Sequence, residues 1–367
     1  MLLLNSLRKR FRSDGFLNLA AVRSLIWEKF VNFAIRIFPM NKPMHKIAVL
    51  TSGGDSPGMN AAIRSVVRTC AYMNVECMAI YRGYQGMIEG DFVAMNARSV
   101  NNIINKGGTI LKSARCEDFK TPEGRKKAHE QLVQAGISGF VVIGGDGSFT
   151  GATIFNKEYD FPVIGIPGTI DNDIFGTRYT LGFDTALNTV VDAIDKIRDT
   201  ASSHNRLFFV EVMGRDVGHI ALNAGVAAGA EEILIPEENL GLDRLLESLR
   251  RSKKTGKSSS IVVVAEGDKT GKNVFELKEY VEEHLPIYDV RVSVLGHMQR
   301  GGPPSAFDRV LASRMGVKAV EALIAGKTNL MVGIIDNEIV LTPIAEAIKG
   351  HTKIDRELVR VSDIMTI

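Results

Sequence analysis

The stretch GFVVIGGDGSFTG, residues 139–151, passes from an unbroken apolar run into a loop rich in glycine. The run carries Val and Ile without polar alternation, which predicts a short strand buried on both faces. Seven further runs share this character and are bounded by Gly or Pro: KIAVLT (46–51), VECMAIY (75–81), PVIGIP (162–167), RLFFVEVM (206–213), EILIP (232–236), SIVVVAEG (260–267) and VRVSVLG (290–296).

Stretches with apolar residues at helical spacing separate these strands, at residues 59–72, 122–135, 184–200, 242–254, 273–284 and 305–325. Strands that alternate with helices predict an α/β fold with mostly parallel sheets covered on both faces. The 367 residues exceed one ordinary core, and two halves of similar layout fit this length. In such sheets ligands bind beyond the carboxyl ends of the strands, so the loops there are the candidate site.

The formal charge is unevenly distributed along the chain. Residues 1–43 hold eight of the 45 Lys and Arg residues and two of the 42 Asp and Glu residues, a net of +6. The other 324 residues hold 37 basic and 40 acidic side chains, a net of −3, which argues against a nucleic-acid-binding surface. Cys70, Cys77 and Cys116 show no metal-binding spacing and predict reduced cytoplasmic thiols.

Residues 1–43 differ in composition from the rest of the chain. MLLL at the start is too short for the apolar part of a signal peptide, and no run reaches membrane-spanning length. One interpretation is a basic amphipathic helix on a membrane surface, because residues 16–38 have apolar side chains at roughly helical spacing. The interpretation that we favour is a translated upstream stretch, with the natural start at Met40 or Met44.

Two loops have compositions that suit an anion. TSGGDSPGMN, residues 51–60, follows the first strand and begins a helix, whose N-terminal N–H groups attract anions; a capped tight turn is the alternative. RSKKTGKS, residues 251–258, resembles the end of a Walker A loop, but it follows a helix and carries Arg251 in place of the leading glycine. The segment is therefore not a P-loop. We interpret it as a basic turn that could bind an anion through Lys254 and Lys257.

The stronger signal is the loop that ends the opening stretch. Gly145 and Gly147 permit backbone contact with a polyphosphate, and Asp146 between them suits the Mg²⁺ that accompanies it. A simple turn needs one glycine, whereas this loop has three. The loop therefore predicts a phosphate and metal site.

PGTIDND, residues 167–173, follows the next strand and carries two carboxylates. Phosphoryl transfer to a hydroxyl group needs a carboxylate that accepts the hydroxyl proton. Asp171 and Asp173 point alike in an extended segment, so one can face the acceptor and the other a metal or a structural partner. Thr169 can hydrogen-bond a phosphate or sugar oxygen. A solvated turn is the competing interpretation of this segment.

Cationic side chains recur at strand ends or in loops bounded by glycine. They are Arg115, Arg206, Arg215, Arg291, His297 and Arg300, with Glu266 in a similar position. Each one alone is typical of a surface ion pair. Together at one edge of a parallel sheet they predict a pocket for a phosphorylated, polyhydroxylated substrate.

Five motifs, in this order and spacing, resemble those of the bacterial ATP-dependent 6-phosphofructokinases: LTSGGDSPGMNAAIR, VVIGGDGS, PGTIDNDIFGT, VEVMGR, and VLGHMQRGG followed by DRVLASRMG. The resemblance runs from about Lys46 to near the C-terminus. It implies two similar Rossmann-like three-layer domains with the active site in the cleft between them. Residues 44–182 with 299–350 would bind ATP, and residues 183–298 with 351–367 would bind fructose 6-phosphate; residues 1–43 lie outside the resemblance.

The resemblance also implies roles for individual residues. Contacts with ATP are implied for Gly54, Arg115, Cys116, Gly145, Asp146, Gly147 and Ser148, with Asp146 on Mg²⁺. Contacts with fructose 6-phosphate are implied for Thr169, Ile170, Asp171, Met213, Gly214, Arg215, Glu266, His297, Met298, Gln299 and Arg300, and for Arg206 and Arg291 of a neighbouring subunit. Asp171 would deprotonate the sugar 1-hydroxyl, and Arg215 would stabilise the transferring phosphoryl group. A cytoplasmic homotetramer with shared active sites follows.

Residues of an activating-nucleotide site are partly present. Those that match the family are Arg64, Arg68, Arg198, Glu231 and Lys257. In MNARSVNN, residues 95–102, one arginine is shifted by a position, and Thr255 stands where the family has a lysine. Cys116 also departs from the family, in which an aromatic residue often follows SAR. Allosteric control by ADP and phosphoenolpyruvate is therefore an expectation.

Three alternatives concern the donor and the chemistry. The pyrophosphate-dependent relatives carry GGDD and PKTIDND, whereas this chain has Gly147 and Gly168 at those places, and small residues leave room for the α-phosphate of ATP. NAD kinases and diacylglycerol kinases share GGDG but not GTIDND or GHMQRGG. A catalytically dead regulatory paralogue would have little reason to keep Asp146, Asp171 and Arg215 together.

Overall fold

A computed structural model describes residues 44–202, 206–238, 241–254, 260–350 and 352–365. The interpretations of residues 1–43, and those of Thr255 and Lys257, therefore concern parts of the chain outside the described residues. Residues 44–367 form one compact unit. Among the described residues, no helix has both the length and the apolar character needed to cross a membrane.

The larger of two sheets has seven strands. They are β1 (Lys46–Thr51), β2 (Glu76–Ile80), β3 (Phe92–Met95), β4 (Gly139–Gly144), β5 (Val163–Pro167), β10 (Leu330–Ile335) and β11 (Glu338–Pro343). Their order is β11-β10-β5-β4-β1-β2-β3. The inner pairs are parallel, and β3 and β11 join the two edges antiparallel.

The smaller sheet has four strands, all parallel. They are β6 (Arg206–Val212), β7 (Glu232–Leu234), β8 (Ser260–Ala265) and β9 (Asp289–Val294), in the order β7-β8-β6-β9. The α/β fold with mostly parallel sheets is thus confirmed.

Helices cover both faces of each sheet. They are α1 (Met59–Tyr72), α2 (Gly83–Glu89), α3 (Pro122–Gln134), α4 (Asp146–Tyr159), α5 (Phe183–Ser202), α6 (His219–Ala227), α7 (Gly241–Lys254), α8 (Val274–His284), α9 (Ala306–Ile324), α10 (Ile344–Ala347) and α11 (Arg356–Met365). We call the larger sheet with α1–α4, α9 and α10 the first lobe, and the smaller sheet with α5–α8 and α11 the second lobe. The limits of the two predicted domains stay a prediction.

Strand β1 shows why the sequence folds in this way. Ile47 and Val49 pack into the cluster on one face of the sheet, while Ala48 and Leu50 pack into the cluster on the other face. All four are fully buried. An unbroken apolar run is needed because both faces of the strand exclude water. Burial of one such side chain contributes about 1.5–3 kcal/mol relative to exposure.

Candidate active site at the carboxyl edges of the two sheets

The three loops singled out in the sequence lie side by side. They follow β1, β4 and β5, which are neighbours in the larger sheet, so their carboxyl ends share one edge. The backbone N–H of Ser52 donates to the carbonyl of Ile143 at 3.0 Å, and the N–H of Gly168 donates to the carbonyl of Gly144 at 3.0 Å. The adjacency of the loops is therefore held by backbone hydrogen bonds.

The matching edge of the second lobe is organised by Glu266. Its Oε1 accepts the N–H of Gly214 at 3.2 Å and the N–H of Arg215 at 2.7 Å. Arg215 has a φ of 54°, in the left-handed region that costs a non-glycine residue about 1 kcal/mol or more. The two charge-assisted bonds offset this cost. They fix the turn that presents the Arg215 side chain, which is exposed.

A cavity of about 980 Å³ is lined by residues of both lobes. The predicted site residues that line it are Gly54, Arg115, Cys116, Gly145, Asp146, Gly147, Ser148, Thr169, Asp171, Arg215 and Arg300. The Arg300 guanidinium donates to the carbonyl of Asp55 at 3.3 Å and lies so close to Gly54 that a Cβ there would be 2.9 Å from its Nη1. A larger residue at position 54 would therefore displace the Arg300 guanidinium.

Other predicted site residues lie beside the cavity without lining it. Ile170 is fully buried in the core of the second lobe. Gln299 is also fully buried; its Oε1 accepts the N–H of Met213 at 3.2 Å, and its Nε2 donates to the carbonyl of Gly296 at 3.0 Å. His297 and Met298 are exposed on the 3₁₀ turn Gly296–Arg300. Gln299, like Glu266, thus shapes a turn of the backbone.

Arg206 and Arg291 lie together near the amino ends of strands β6 and β9, at the end of the smaller sheet away from the cavity. Both pair with Asp289, through Arg206 Nε at 2.9 Å and Arg291 Nη1 at 2.9 Å. Arg206 begins β6, so it stands about 20 Å along the strand from the turn that carries Arg215. Within one chain, the structure does not bring these two arginines to the cavity.

Asp171 and Asp173 both line the cavity and are almost fully buried. Oδ2 of Asp171 accepts the hydroxyl of Thr169 at 3.2 Å, whereas its Oδ1 is buried without a hydrogen-bond partner in the described part of the chain. Burial, together with the nearby carboxylates of Asp171 and Asp146, raises the pKa of Asp173 to about 6. The site therefore concentrates negative charge that a cation would neutralise.

Asn172 lies between these two carboxylates. Its φ of 55° is not extended, so the extended segment expected from the sequence does not explain why both Asp side chains line the cavity. The hydrogen bonds of the Asn172 side chain, which fold the segment back, explain it. Its Oδ1 accepts the N–H of Thr180 at 2.8 Å, and its Nδ2 donates to the carbonyl of Arg178 at 3.2 Å. The hydroxyl of Thr180 donates to the carbonyl of Thr169 at 2.6 Å. We call residues 168–178, folded back in this way, the Asp171 loop.

The residues present fit a Mg²⁺ ion that is shared with phosphate. Four carboxylates line the cavity, and three of them, on Asp146, Asp171 and Asp173, follow the adjacent strands β4 and β5. One oxygen of Asp171 is buried without a hydrogen-bond partner among the described residues. The described residues contain no group of three ligating side chains placed to hold a metal alone. Mg²⁺ usually keeps waters and takes one or two carboxylates plus substrate phosphates, so it requires no such group.

The two glycines used to argue for ATP differ in their surroundings. A Cβ on Gly147 would meet no atom within 4 Å, so a larger residue there would project into open space at the start of α4. A Cβ on Gly168 would lie 3.0 Å from Cε of Met59 and 3.1 Å from Cγ2 of Ile143. The small size of Gly168 therefore serves core packing as well, and of the two positions only Gly147 would place an added side chain in open space.

The sequence did not point to several residues that line the cavity. They include Tyr84, Ser113, Phe119, Lys120, Thr150, Gly151 and Ile154. Thr150, Gly151 and Ile154 share one face of α4, and Ile154 keeps 39% of its surface exposed. Helical spacing from Asp146 would have found this face, had α4 been predicted to begin in the glycine-rich loop.

The predicted effector residues lie in two places. Arg64 and Arg68 lie on α1, where burial and the neighbouring Arg68 lower the pKa of Arg64. Arg198 donates to the carbonyl of Ala228 at 2.6 Å and lies 3.9 Å from the carboxylate of Glu231. The guanidinium of Arg198 thus caps the C-terminal end of α6.

The fold and the site define an α/β protein with a cavity at the carboxyl ends of parallel strands, lined by glycine-rich loops, carboxylates and arginines. A family model described as phosphofructokinase matches residues 46–323. The chain therefore belongs to the phosphofructokinase family.

Individual relatives agree with this assignment. ATP-dependent 6-phosphofructokinase 2 of Bacteroides thetaiotaomicron is 53% identical over 321 residues, which are 88% of this chain and 98% of that protein. ATP-dependent 6-phosphofructokinase 1 of Thermus thermophilus is 54% identical over 324 residues, 88% of this chain and 100% of that protein. The solved structure of phosphofructokinase from Saccharomyces cerevisiae matches with a TM-score of 0.80 at 38% identity, over 83% of this chain and 45% of the yeast chain.

Proposed function

We propose that the protein is an ATP-dependent 6-phosphofructokinase, which transfers the γ-phosphoryl group of ATP to the 1-hydroxyl of D-fructose 6-phosphate and yields fructose 1,6-bisphosphate and ADP. The observation that carries this proposal is the buried, unpartnered Oδ1 of Asp171 beside the glycine-flanked N-terminus of α4. A proton acceptor and a phosphate cradle thus face one cavity. The names of the two bacterial relatives support the choice of donor and acceptor.

The donor phosphates would lie at the start of α4. Gly145 and Gly147 expose backbone there, and the helix N-terminus favours anions. Asp146, with Asp173 nearby, would hold Mg²⁺, which when bound neutralises phosphate charge. Cys116, Gly151 and Ile154 would contact the nucleotide base, because they are among the less polar residues of the lining.

The acceptor hydroxyl would meet Asp171. Its Oδ1 has an unused lone pair, and the Thr169 hydroxyl on Oδ2 holds the carboxylate in place. As the hydroxyl oxygen attacks phosphorus, Oδ1 takes its proton. Arg215 lines the same cavity, and it would stabilise the charge on the equatorial oxygens of the transferring group.

The donor decides between this function and the pyrophosphate-dependent alternative. Purified protein, fructose 6-phosphate and Mg²⁺ are assayed with ATP or with pyrophosphate, and product is followed through aldolase coupled to NADH oxidation. We expect turnover with ATP and at most a few per cent of that rate with pyrophosphate. Equal or faster turnover with pyrophosphate would overturn the donor assignment.

We further propose a cytoplasmic homotetramer in which Arg206 and Arg291 of one subunit complete the sugar phosphate site of another. The placement of both arginines at the edge of the smaller sheet remote from Arg215 supports this arrangement. The same assembly would carry the ADP and phosphoenolpyruvate site of Arg64, Arg68, Arg198, Glu231 and Lys257.

Shared sites predict complementation between two impaired variants when fructose 6-phosphate is below saturation. Arg206→Ala alone should raise KM for fructose 6-phosphate, and Asp171→Asn alone should abolish most turnover. Dissociated and reassembled as a 1:1 mixture, the two should regain activity, since about a quarter of the sites then draw both native residues from different chains. A mixture no more active than the mean of the two parents would exclude shared sites.

A further inference from the structure

Thr352 makes two hydrogen bonds to the Asp171 loop. Its backbone N–H donates to the carbonyl of Asp173 at 3.2 Å, and its hydroxyl donates to the carbonyl of Ile174 at 2.8 Å. The side chain of Asp173 lines the cavity, while its backbone carbonyl is bound by Thr352.

The same residue also contacts the second lobe. The carbonyl of Thr352 accepts a hydrogen bond from Nε2 of His219 at 3.1 Å; because a carbonyl only accepts, Nε2 carries the proton. His219 is the first residue of α6 and is 5% exposed. Ile354, two residues after Thr352, is buried in the core of the second lobe.

The segment that follows Thr352 is anchored in a similar way. Oδ2 of Asp355 accepts from Arg178, in the Asp171 loop, at 3.0 Å. Its Oδ1 accepts the N–H groups of Glu357 and Leu358 at the start of α11, a helix that packs on α6. Residues 352–355, which we name the strap, thus join the Asp171 loop to the second lobe at both ends.

We propose that the strap sets the position of the Asp171 loop relative to α6, with Thr352 as the positioning residue. The strap lies beyond the residues matched by the family model, 46–323. The effect on turnover rests on the proposed function, whereas the mechanical coupling does not.

The geometry explains why such coupling affects catalysis. Asp171 stands on the first lobe and Arg215 on the second, and both must reach one phosphoryl group. Helix α6 begins four residues after Arg215, so a fixed α6 limits the movement of the Arg215 turn. Misplacement of reacting groups by about 1 Å can cost about 10²-fold in rate. The strap is hydrogen-bonded to both the Asp171 loop and α6, and it therefore limits how far Asp171 and Arg215 can move apart.

The kinetic test compares two threonines that bond the same loop. Thr352→Val removes the bond to Ile174, while Thr342→Val removes a bond from β11 to Gly176 at 3.3 Å, within the first lobe. We expect Thr352→Val to lower kcat about fivefold, the factor for about 1 kcal/mol, with KM values within about twofold. Thr352→Ser, which keeps the hydroxyl, and Thr342→Val should stay within about twofold. Equal kcat for both valine variants would refute the proposal.

A second measurement needs no enzymatic activity. Hydrogen–deuterium exchange of native protein and variants reports the Asp171 loop and α6 separately. Thr352→Val should speed exchange several-fold in both regions, and Thr342→Val in the loop alone. If Thr352→Val fails to fold, His219→Leu replaces it. Leucine has no donor for the Thr352 carbonyl, so this variant should speed exchange in the loop, although the substitution lies in the second lobe. Unchanged loop exchange in His219→Leu, or unchanged exchange in α6 in Thr352→Val, would show that the strap does not couple the lobes. Because hydrogen–deuterium exchange does not depend on turnover, this measurement can refute the coupling even if the proposed function is correct, and it can support the coupling even if the proposed function is wrong.

Discussion

Replacement of Asp171 by Asn is expected to lower kcat by about 10²–10⁴, the range that general-base catalysis contributes. The amide has nearly the same shape as the carboxylate and can still accept from Thr169, but it cannot take a proton at the position of the unpartnered Oδ1. Binding of Mg²⁺ and ATP should be retained, because the donor loop is unchanged. Steady-state kinetics and calorimetric titration with a non-hydrolysable ATP analogue measure the two effects.

Asp160→Asn is the matched control for this variant. Asp160 is exposed at the C-terminal end of α4, with a φ of 50° that Asn also tolerates. Its kcat should equal that of the native protein. Survival of kcat in Asp171→Asn to within about tenfold would show that another group accepts the proton.

Replacement of Asp173 by Asn is expected to stabilise the protein without ligand at pH 7.5 and not at pH 4. The pKa of Asp173 is raised to about 6 from the ordinary 3.8, mainly by burial and then by Asp171 and Asp146. A raised folded-state pKa contributes stability below the unfolded pKa, and this contribution is lost as the pH rises through about 6. The difference amounts to about 3 kcal/mol at neutral pH if the full shift applies.

Thermal unfolding between pH 4 and pH 8 tests this expectation. Asp173→Asn should raise Tm by roughly 2–6 °C at pH 7.5, and the gain should shrink towards zero near pH 4. Asp160→Asn again serves as the control and should follow the native curve. A lower Tm for Asp173→Asn at pH 7.5, or a gain that is the same at every pH, would contradict the account of this carboxylate.

Buried strands were the part of the fold that the sequence predicted well. All eight apolar runs form strands, because burial on both faces demands unbroken apolar side chains. The edge strands β3 and β11 were not predicted, since a half-exposed antiparallel edge needs no such run. The inner strand β10 was not predicted either, although its run LMVGII is apolar and mostly buried. Helix α4 was also missed, because Gly147 and Gly151 are typical of a loop. In the structure Gly151 lies in the helix and allows the rings of Phe119 and Tyr84 to pack close to its Cα, 3.3 Å from where a Cβ would lie.

The candidate site followed from one rule, that loops after adjacent parallel strands meet at one edge. From the sequence alone, that rule predicts a shared site for Asp146 and Asp171, and both side chains line the cavity. It could not distinguish Glu266 as a ligand from Glu266 as the residue that fixes the Arg215 turn, because this depends on contacts between strands. Nor could it place Arg206, whose proposed site lies on another copy of the chain.

The proposed phosphoryl transfer is tested most directly by identifying the phosphorylated products. Purified protein is incubated with fructose 6-phosphate, ATP and Mg²⁺, and products are identified by ³¹P NMR. We expect a new phosphate ester on C1 of the sugar, formed in equal amount with ADP, and at most about one hundredth of that amount when Asp171→Asn replaces the native protein over the same time. Release of ADP with inorganic phosphate in place of the C1 ester, or the absence of both ADP and the ester, would contradict the proposed phosphoryl transfer.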